Sequence, residues 1–204
     1  MEVKPTLRRA LVSDIEAISN IALGSLPLDP QWPYRFPLAS VYPEDHKKFT
    51  RIRYTEYFAN QVQGVSYIML AELPSNEDPS IKKPIAFAIW QLPGSHIQPV
   101  EVEAKSGTSY RRDANPARMT AFRKAICKAK EEWFDKKFGE SQMCLTTLAT
   151  YPDYMRRGAG KALCDPMGKP LYMKLGFRQV GMVHTQVEGE EEFPAFPGMI
   201  LELK

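Results

Sequence analysis

Between the β-rich run Cys144–Thr150 ("CLTTLAT") and the breaker Asp165-Pro166, the chain offers only "YPDYMRRGAGKALC". Gly158 and Gly160 let a backbone turn tightly and approach a ligand closely. The helix behind that turn can run only from Arg157 to Cys164, because an Asp-Pro step ends it. A second strand parallel to Cys144–Thr150 would need a crossover of about a dozen residues or more. No strand-like run follows before "KPLYMKLGF". The spacing is therefore expected to leave a short helix there and no parallel strand directly after it.

The remaining segments alternate between the two periods. "TLRRAL" reads as a short first strand, and Ser13 with Glu16 has the spacing of a capping box for the helix that follows. "PLDPQWPYRFPLASVYP" is expected to be a loop, because prolines punctuate it. Glu44 to Val62 reads as a helix with acids at its front end. Val65–Leu73 and Lys83–Leu92 read as an antiparallel pair, and "NPARMTAFRKAICKAKEEWFDKKFG" as a long helix closed by Gly139. "KPLYMKLGF" reads as a short helix, and "FRQVGMVHTQV" and "FPGMILEL" as two last strands. The order β-α-α-β-β-α-β-α-α-β-β predicts one domain over residues 1–204: an α/β fold with a mixed, mostly antiparallel sheet flanked by helices.

Composition narrows the function classes. A net charge of +3 with both signs interspersed gives no electrostatic footprint for nucleic acid. The helix from Arg118 to Lys137 is rich in Lys and Arg, but Glu131, Glu132 and Asp135 interrupt it as on a solvated face. The three cysteines have no paired spacing, and His46, His96 and His184 lie far apart, so no metal site is expected. The longest apolar run, Ile85–Trp90, is too short to span a bilayer, and the N-terminus has no apolar signal region. A soluble cytoplasmic protein is the expectation, with no membrane or nucleic-acid partner.

Three ways of cradling phosphate compete for the glycine turn. A P-loop aligned on Gly160-Lys161 would put Met155 where its first glycine belongs and Ala162 where its hydroxyl belongs. A dinucleotide fingerprint has Leu163 in place of its third glycine. The third is a diphosphate held by successive backbone N–H groups where a strand turns into a helix, with Arg156 and Arg157 adding charge. A tight turn with surface arginines is the plain alternative.

"LTTLATYPDYMRRGAGKAL" resembles the acetyl-CoA-binding motif of the GNAT superfamily of N-acetyltransferases. "PLYMKLGF" resembles that family's second signature, and "DPQWPYRFP…YPEDHKKFTRIRYTEYF" its substrate-side region. The resemblance implies transfer of an acetyl group from acetyl-CoA to a primary amine on a small molecule or peptide. It implies that Leu148, Ala149 and Thr150 face the pantetheine arm and acetyl carbonyl. Met155, Arg156, Arg157, Gly158, Ala159, Gly160 and Lys161 would hold the diphosphate. Tyr172 would protonate the departing thiolate, a role open to a phenol within hydrogen-bond reach. No metal is needed, since the thioester is already activated. A general base is not assignable; Glu72 and Glu103 are positional candidates. Trp32, Tyr34 and Phe36 are candidates for an acceptor pocket or a packed lid.

The family places its coenzyme in a gap between two splayed parallel strands, and this chain is short there. Either the last strand pair joins Cys144–Thr150 directly, or the gap stays open. A non-catalytic module that binds CoA weakly or offers an interaction surface is the alternative to an enzyme.

Overall fold

The computed structural model describes residues 4–75, 77–94, 111–164 and 177–202. Four strands form one antiparallel sheet in sequence order: β1 (Thr6–Arg9), β2 (Ser66–Pro74), β3 (Lys82–Gln91) and β4 (Cys144–Thr150). Alternation decides which residue faces which layer. Ile68, Leu70, Phe87, Ile89 and Ala149 point to one face, where Ile18, Ile21 and Ala22 of α1 (Ile15–Ser25) and Tyr54, Tyr57 and Phe58 of α3 (Pro43–Val62) cover them. Ala71, Ile85, Ala86, Ala88 and Trp90 point to the other face, where Ala159 and Leu163 of α6 (Ala159–Cys164) pack. Phe87 is fully buried, and truncating it to Ala would cost roughly 3–5 kcal/mol.

The helix over Glu44–Val62 and the β2–β3 pair form where the sequence puts them, with the strands in antiparallel register. Two local readings change. Ser13 does not cap α1. Asp14 accepts the Leu11 N–H at 2.7 Å and is gripped by both terminal nitrogens of Arg8, so a 3-10 turn leads into the helix. The proline-rich stretch is not all loop. It forms a 3-10 turn at Leu26–Leu28 and the short helix α2 (Gln31–Arg35). Pro30 stands before the helix and Pro33 in its first turn, where a missing N–H breaks no helical bond.

The long helix divides as α4 (Pro116–Lys130), a π-helical turn at Glu131–Asp135, and α5 (Lys136–Phe138). Asn115 caps its start through the Arg118 N–H at 3.2 Å. The π turn aims Trp133 at the final hairpin, β5 (Arg178–His184) and β6 (Ala195–Ile200). A Cβ on Gly198 would stand 2.7 Å from the Trp133 ring, and one on Gly181 would meet the same ring. Only glycine allows that seat.

Of the two arrangements open for the last strand pair, direct joining to β4 does not occur. β5 and β6 pair with each other in a separate antiparallel sheet, and among the described residues no strand lies on the outer edge of β4. All pairings in the two sheets are antiparallel. The helix read at "KPLYMKLGF" falls almost wholly outside the described residues.

Candidate coenzyme site

β4 reaches the glycine turn carrying a bulge. Thr147 faces Ile89 and Leu145 faces Trp90, which leaves Thr146 as the extra residue, and its hydroxyl donates to the Ile89 carbonyl at 3.0 Å. A bulge bends its strand and sharpens the local twist. Ala149 faces the α1–α3 layer and is buried, whereas Leu148 belongs to the layer under α6. The Tyr151 amide extends the ladder one step, donating to the Ile85 carbonyl at 2.8 Å.

A 3-10 turn at Pro152–Tyr154 comes next, and the Met155 amide donates to the Pro152 carbonyl at 3.1 Å. The backbone then becomes left-handed twice, at Arg156 (φ 63°) and Gly158 (φ 81°). Arg156 is the one non-glycine with positive φ among the described residues. Such a conformation costs an ordinary residue on the order of 1–3 kcal/mol and recurs at ligand clamps. The Ala162 amide donates to the Gly158 carbonyl at 2.8 Å, the first α-helical bond of α6. Among the described residues, the amides of Arg156, Gly158, Ala159 and Gly160 find no backbone acceptor, while that of Arg157 closes the turn over Met155 and Arg156. With α6 only six residues long, these free N–H groups rather than the helix dipole supply the attraction for an anion.

The space around them is open. A Cβ on Gly158 would meet nothing within 4 Å, and one on Gly160 would touch only the Thr150 hydroxyl at 3.7 Å. The turn therefore brings Thr150 and Gly160 together. Arg157 lies 5.2 Å from the centre of the Tyr154 ring, and Lys83 lies 5.7 Å from the same ring. Sequence reading missed Lys83. The signal was present in the pairing: Ala86 faces Thr150, so Lys83, three residues earlier on β3, stands level with the turn after β4. A diphosphate fits this set: unpaired amides, two cations and a glycine conformation that admits close approach. Tyr172 and Glu103 lie outside the described residues. Glu72 is held by Arg8, whose Nε donates to it at 2.9 Å.

On the opposite face of the sheet, Tyr151 packs on α1 at Gly24. α2 meets the loop of the last hairpin there. Thr185 donates to Gln31 Oε1 at 3.1 Å, and Tyr34 donates to Glu190 at 2.7 Å. Arg118 Nε also donates to Glu190 at 2.9 Å, and these bonds hold its carboxyl below its ordinary value. Burial and the bond to Glu190 push the Tyr34 phenol up. Trp32 and Phe36 are buried with ring centroids 4.7 Å apart, which makes them packing and not pocket wall. Two cavities lie elsewhere. One of about 210 Å³ sits beside Lys130, Asp135, Gln142 and Cys144, and one of about 620 Å³ lies between α4 and His184–Glu188. Neither touches the glycine turn.

This architecture is a GNAT-type fold. It superposes with a TM-score of 0.57 on a crystal structure described as histone acetyltransferase HPA2 and related acetyltransferase, from Corynebacterium glutamicum, at 17% identity, covering 97% of this chain and 95% of that one. A GCN5-related N-acetyltransferase from Rhodopseudomonas palustris aligns at a TM-score of 0.46 and 14% identity, over 98% of this chain and 96% of that one. In sequence, the chain is 24% identical over 216 aligned positions to a curated acetyltransferase of Stachybotrys chartarum, covering 92% of this chain and 86% of that protein. No family model matches the chain. The fold is thus of the GNAT type, and in sequence the chain is similar to a curated acetyltransferase.

Proposed function

We propose that the chain binds acetyl-CoA at the glycine turn and transfers its acetyl group to a primary amine. The observation that carries this reading is the cluster of unpaired amides at Arg156, Gly158, Ala159 and Gly160 at the end of a bulged strand. Arg156, Arg157, Gly158, Ala159, Gly160 and Lys161 hold the diphosphate, with Lys83 adding charge; Met155, whose amide is engaged, contributes position only. Leu148, Ala149 and Thr150 line the path of the pantetheine arm. Acetyl-CoA supplies an activated thioester, so the protein's part is to orient the amine and give the leaving thiolate a proton. Tyr172 is the proposed proton donor. The acceptor is an amine on a small molecule or peptide. No helix among the described residues is long and apolar enough to cross a membrane. The chain acts as one domain in the cytoplasm, without a metal or nucleic acid.

One observation favours a second reading, a CoA-binding module without turnover: among the described residues the outer edge of β4 has no strand beside it. Titration calorimetry with acetyl-CoA separates these readings, together with thiol release over a panel of amines. Binding with thiol release supports the enzyme; binding without release for any amine leaves the module. Absence of heat removes both. Gly160→Ala sharpens the test, because its methyl would make only an ordinary contact in the protein and Ala is the better helix former. The variant should be as stable as the parent and bind acetyl-CoA about tenfold or more weakly. Unchanged affinity would move the diphosphate away from these amides.

A further inference from the structure

Arg35 ends α2 and is only 6% exposed. A guanidinium that deep is ordinarily met by a carboxylate, because an unpaired buried charge is strongly unfavourable. Among the described residues, Arg35 meets none. Its Nε donates to the Gln31 carbonyl of its own helix at 2.9 Å, and its two terminal nitrogens have no protein acceptor and keep the residue's small solvent-facing area. Aromatic faces surround it instead: Phe122 at 3.9 Å, Phe36 at 5.2 Å and Trp32 at 5.4 Å from its central carbon. Aromatic faces ease the burial of a cation without using its N–H donors. Arg53 and Arg111 press against its charge. Asp29 and, more weakly, Tyr54 favour it, but Asp29 is an exposed carboxylate that already accepts the Gln31 N–H at 3.0 Å. Burial, with these neighbours, pulls the guanidinium down to about 9.

Two further buried groups lack partners. Gln31 stands one turn before Arg35 on the same face of α2, and its Nε2 has no acceptor while Thr185 fixes its Oε1. Thr50 stands one turn before Tyr54 on α3, 2% exposed, with its hydroxyl unpartnered. Glu56 Oε2 on α3 is also unpartnered and is an acceptor, but beside Arg35 itself the open groups are donors, Gln31 Nε2 and the guanidinium, and one anion would serve both.

We propose that the terminal nitrogens of Arg35, with Gln31 Nε2 one turn before it, receive an anionic group, a carboxylate or a phosphate, carried by the amine acceptor. The placement suits the acceptor and not the coenzyme. Tyr54, an electrostatic neighbour of Arg35, packs edge-on against Phe87 at 5.3 Å, and Phe87 pairs with Ala149 of β4. The site thus stands over the face of β4 opposite α6. That assignment rests on the acetyl-transfer reading, whereas the anion site itself can be tested without it.

The test is thermal unfolding of the full chain in sodium phosphate, sodium succinate and sodium chloride at matched pH and ionic strength. Wild type should gain roughly 4 °C over chloride in the salt it recognises, since a ligand bound only to the native state raises Tm. Phosphate or succinate acting alone names the group. Arg35→Met should be at least as stable as wild type in chloride, because it removes a buried unpaired charge, and should lose the anion response. Arg35→Lys, which keeps the charge without the planar fork, should keep only a fraction of it, and Gln31→Leu should diminish it. A destabilised Arg35→Met, an equal anion response in all variants, or no response in wild type overturns the proposal. In turnover, Arg35→Met should raise KM several-fold for anionic amines alone, leaving that for acetyl-CoA unchanged. An Arg35-dependent anion response without acetyl-CoA binding would sink the transfer reading and keep this site; the reverse result would sink this site alone.

Discussion

Asp113 shows how single residues tie α2 to α3. Fully buried, its carboxylate faces His46 Nδ1 at 2.6 Å and accepts from Arg111 Nε at 2.7 Å and Nη2 at 2.9 Å. The Trp32 indole donates to His46 Nε2 at 3.1 Å, which requires a lone pair there and fixes the proton on Nδ1. Histidine spacing gave no hint of this; the partners are 14 and 67 residues away in sequence. Burial alone would push the Asp113 carboxyl up, but its bonds to His46 and Arg111 outweigh that and hold it at about 2. A depressed value stabilises the fold in full above the ordinary carboxylate value of about 3.9, and the contribution is lost as pH falls through about 2. Asp113→Asn should cost roughly 3–5 kcal/mol at neutral pH by urea denaturation, and the gap from wild type should narrow as pH falls from 4 towards 2. A gap that stays constant over that window would mean the carboxylate charge is not what matters.

At the scale of elements, what could be read from the sequence followed local chemistry. α3 begins at Pro43, with Glu44 and Asp45 in its first turn, and β2 and β3 are β-prone runs bounded by turn residues, so their bounds fall within one residue of the reading. The glycine turn was legible for the same reason, as its left-handed backbone at Gly158 is written in a residue type. Arg156, equally left-handed, carries no such mark. The π turn was not legible either, because it answers a tertiary demand: one extra residue per turn brings Trp133 onto the hairpin. Gly181→Ala tests that seat. Its methyl would strike the Trp133 ring, so about 1–3 kcal/mol of stability should be lost, read by thermal unfolding. A neutral substitution would show that Trp133 moves aside freely. The buried cluster around Arg35 was the least legible, since a lone Arg in a proline-rich stretch looks like surface charge.

Across the whole molecule, stability is unevenly spread. β3 is paired on both sides and buried on both faces, with Ile85 through Ile89 fully enclosed. The β5–β6 hairpin pairs only with itself and rests on α4 and the π turn. Elements with fewer buried contacts open at lower free energy. Hydrogen exchange should therefore protect the amides of β2 and β3 longest and release those of β5 and β6 well before them. Simultaneous exchange of both sheets would mean they unfold as one body.

The hairpin's fastening also bears on how this chain can vary. It grips α2 through Thr185 and Glu190 and is seated on Trp133, so it is moored to helices and not to the edge of β4. A change of length between α6 and β5 therefore leaves the alignment of strands in both sheets as it is, so the two sheets can keep their registers independently of each other.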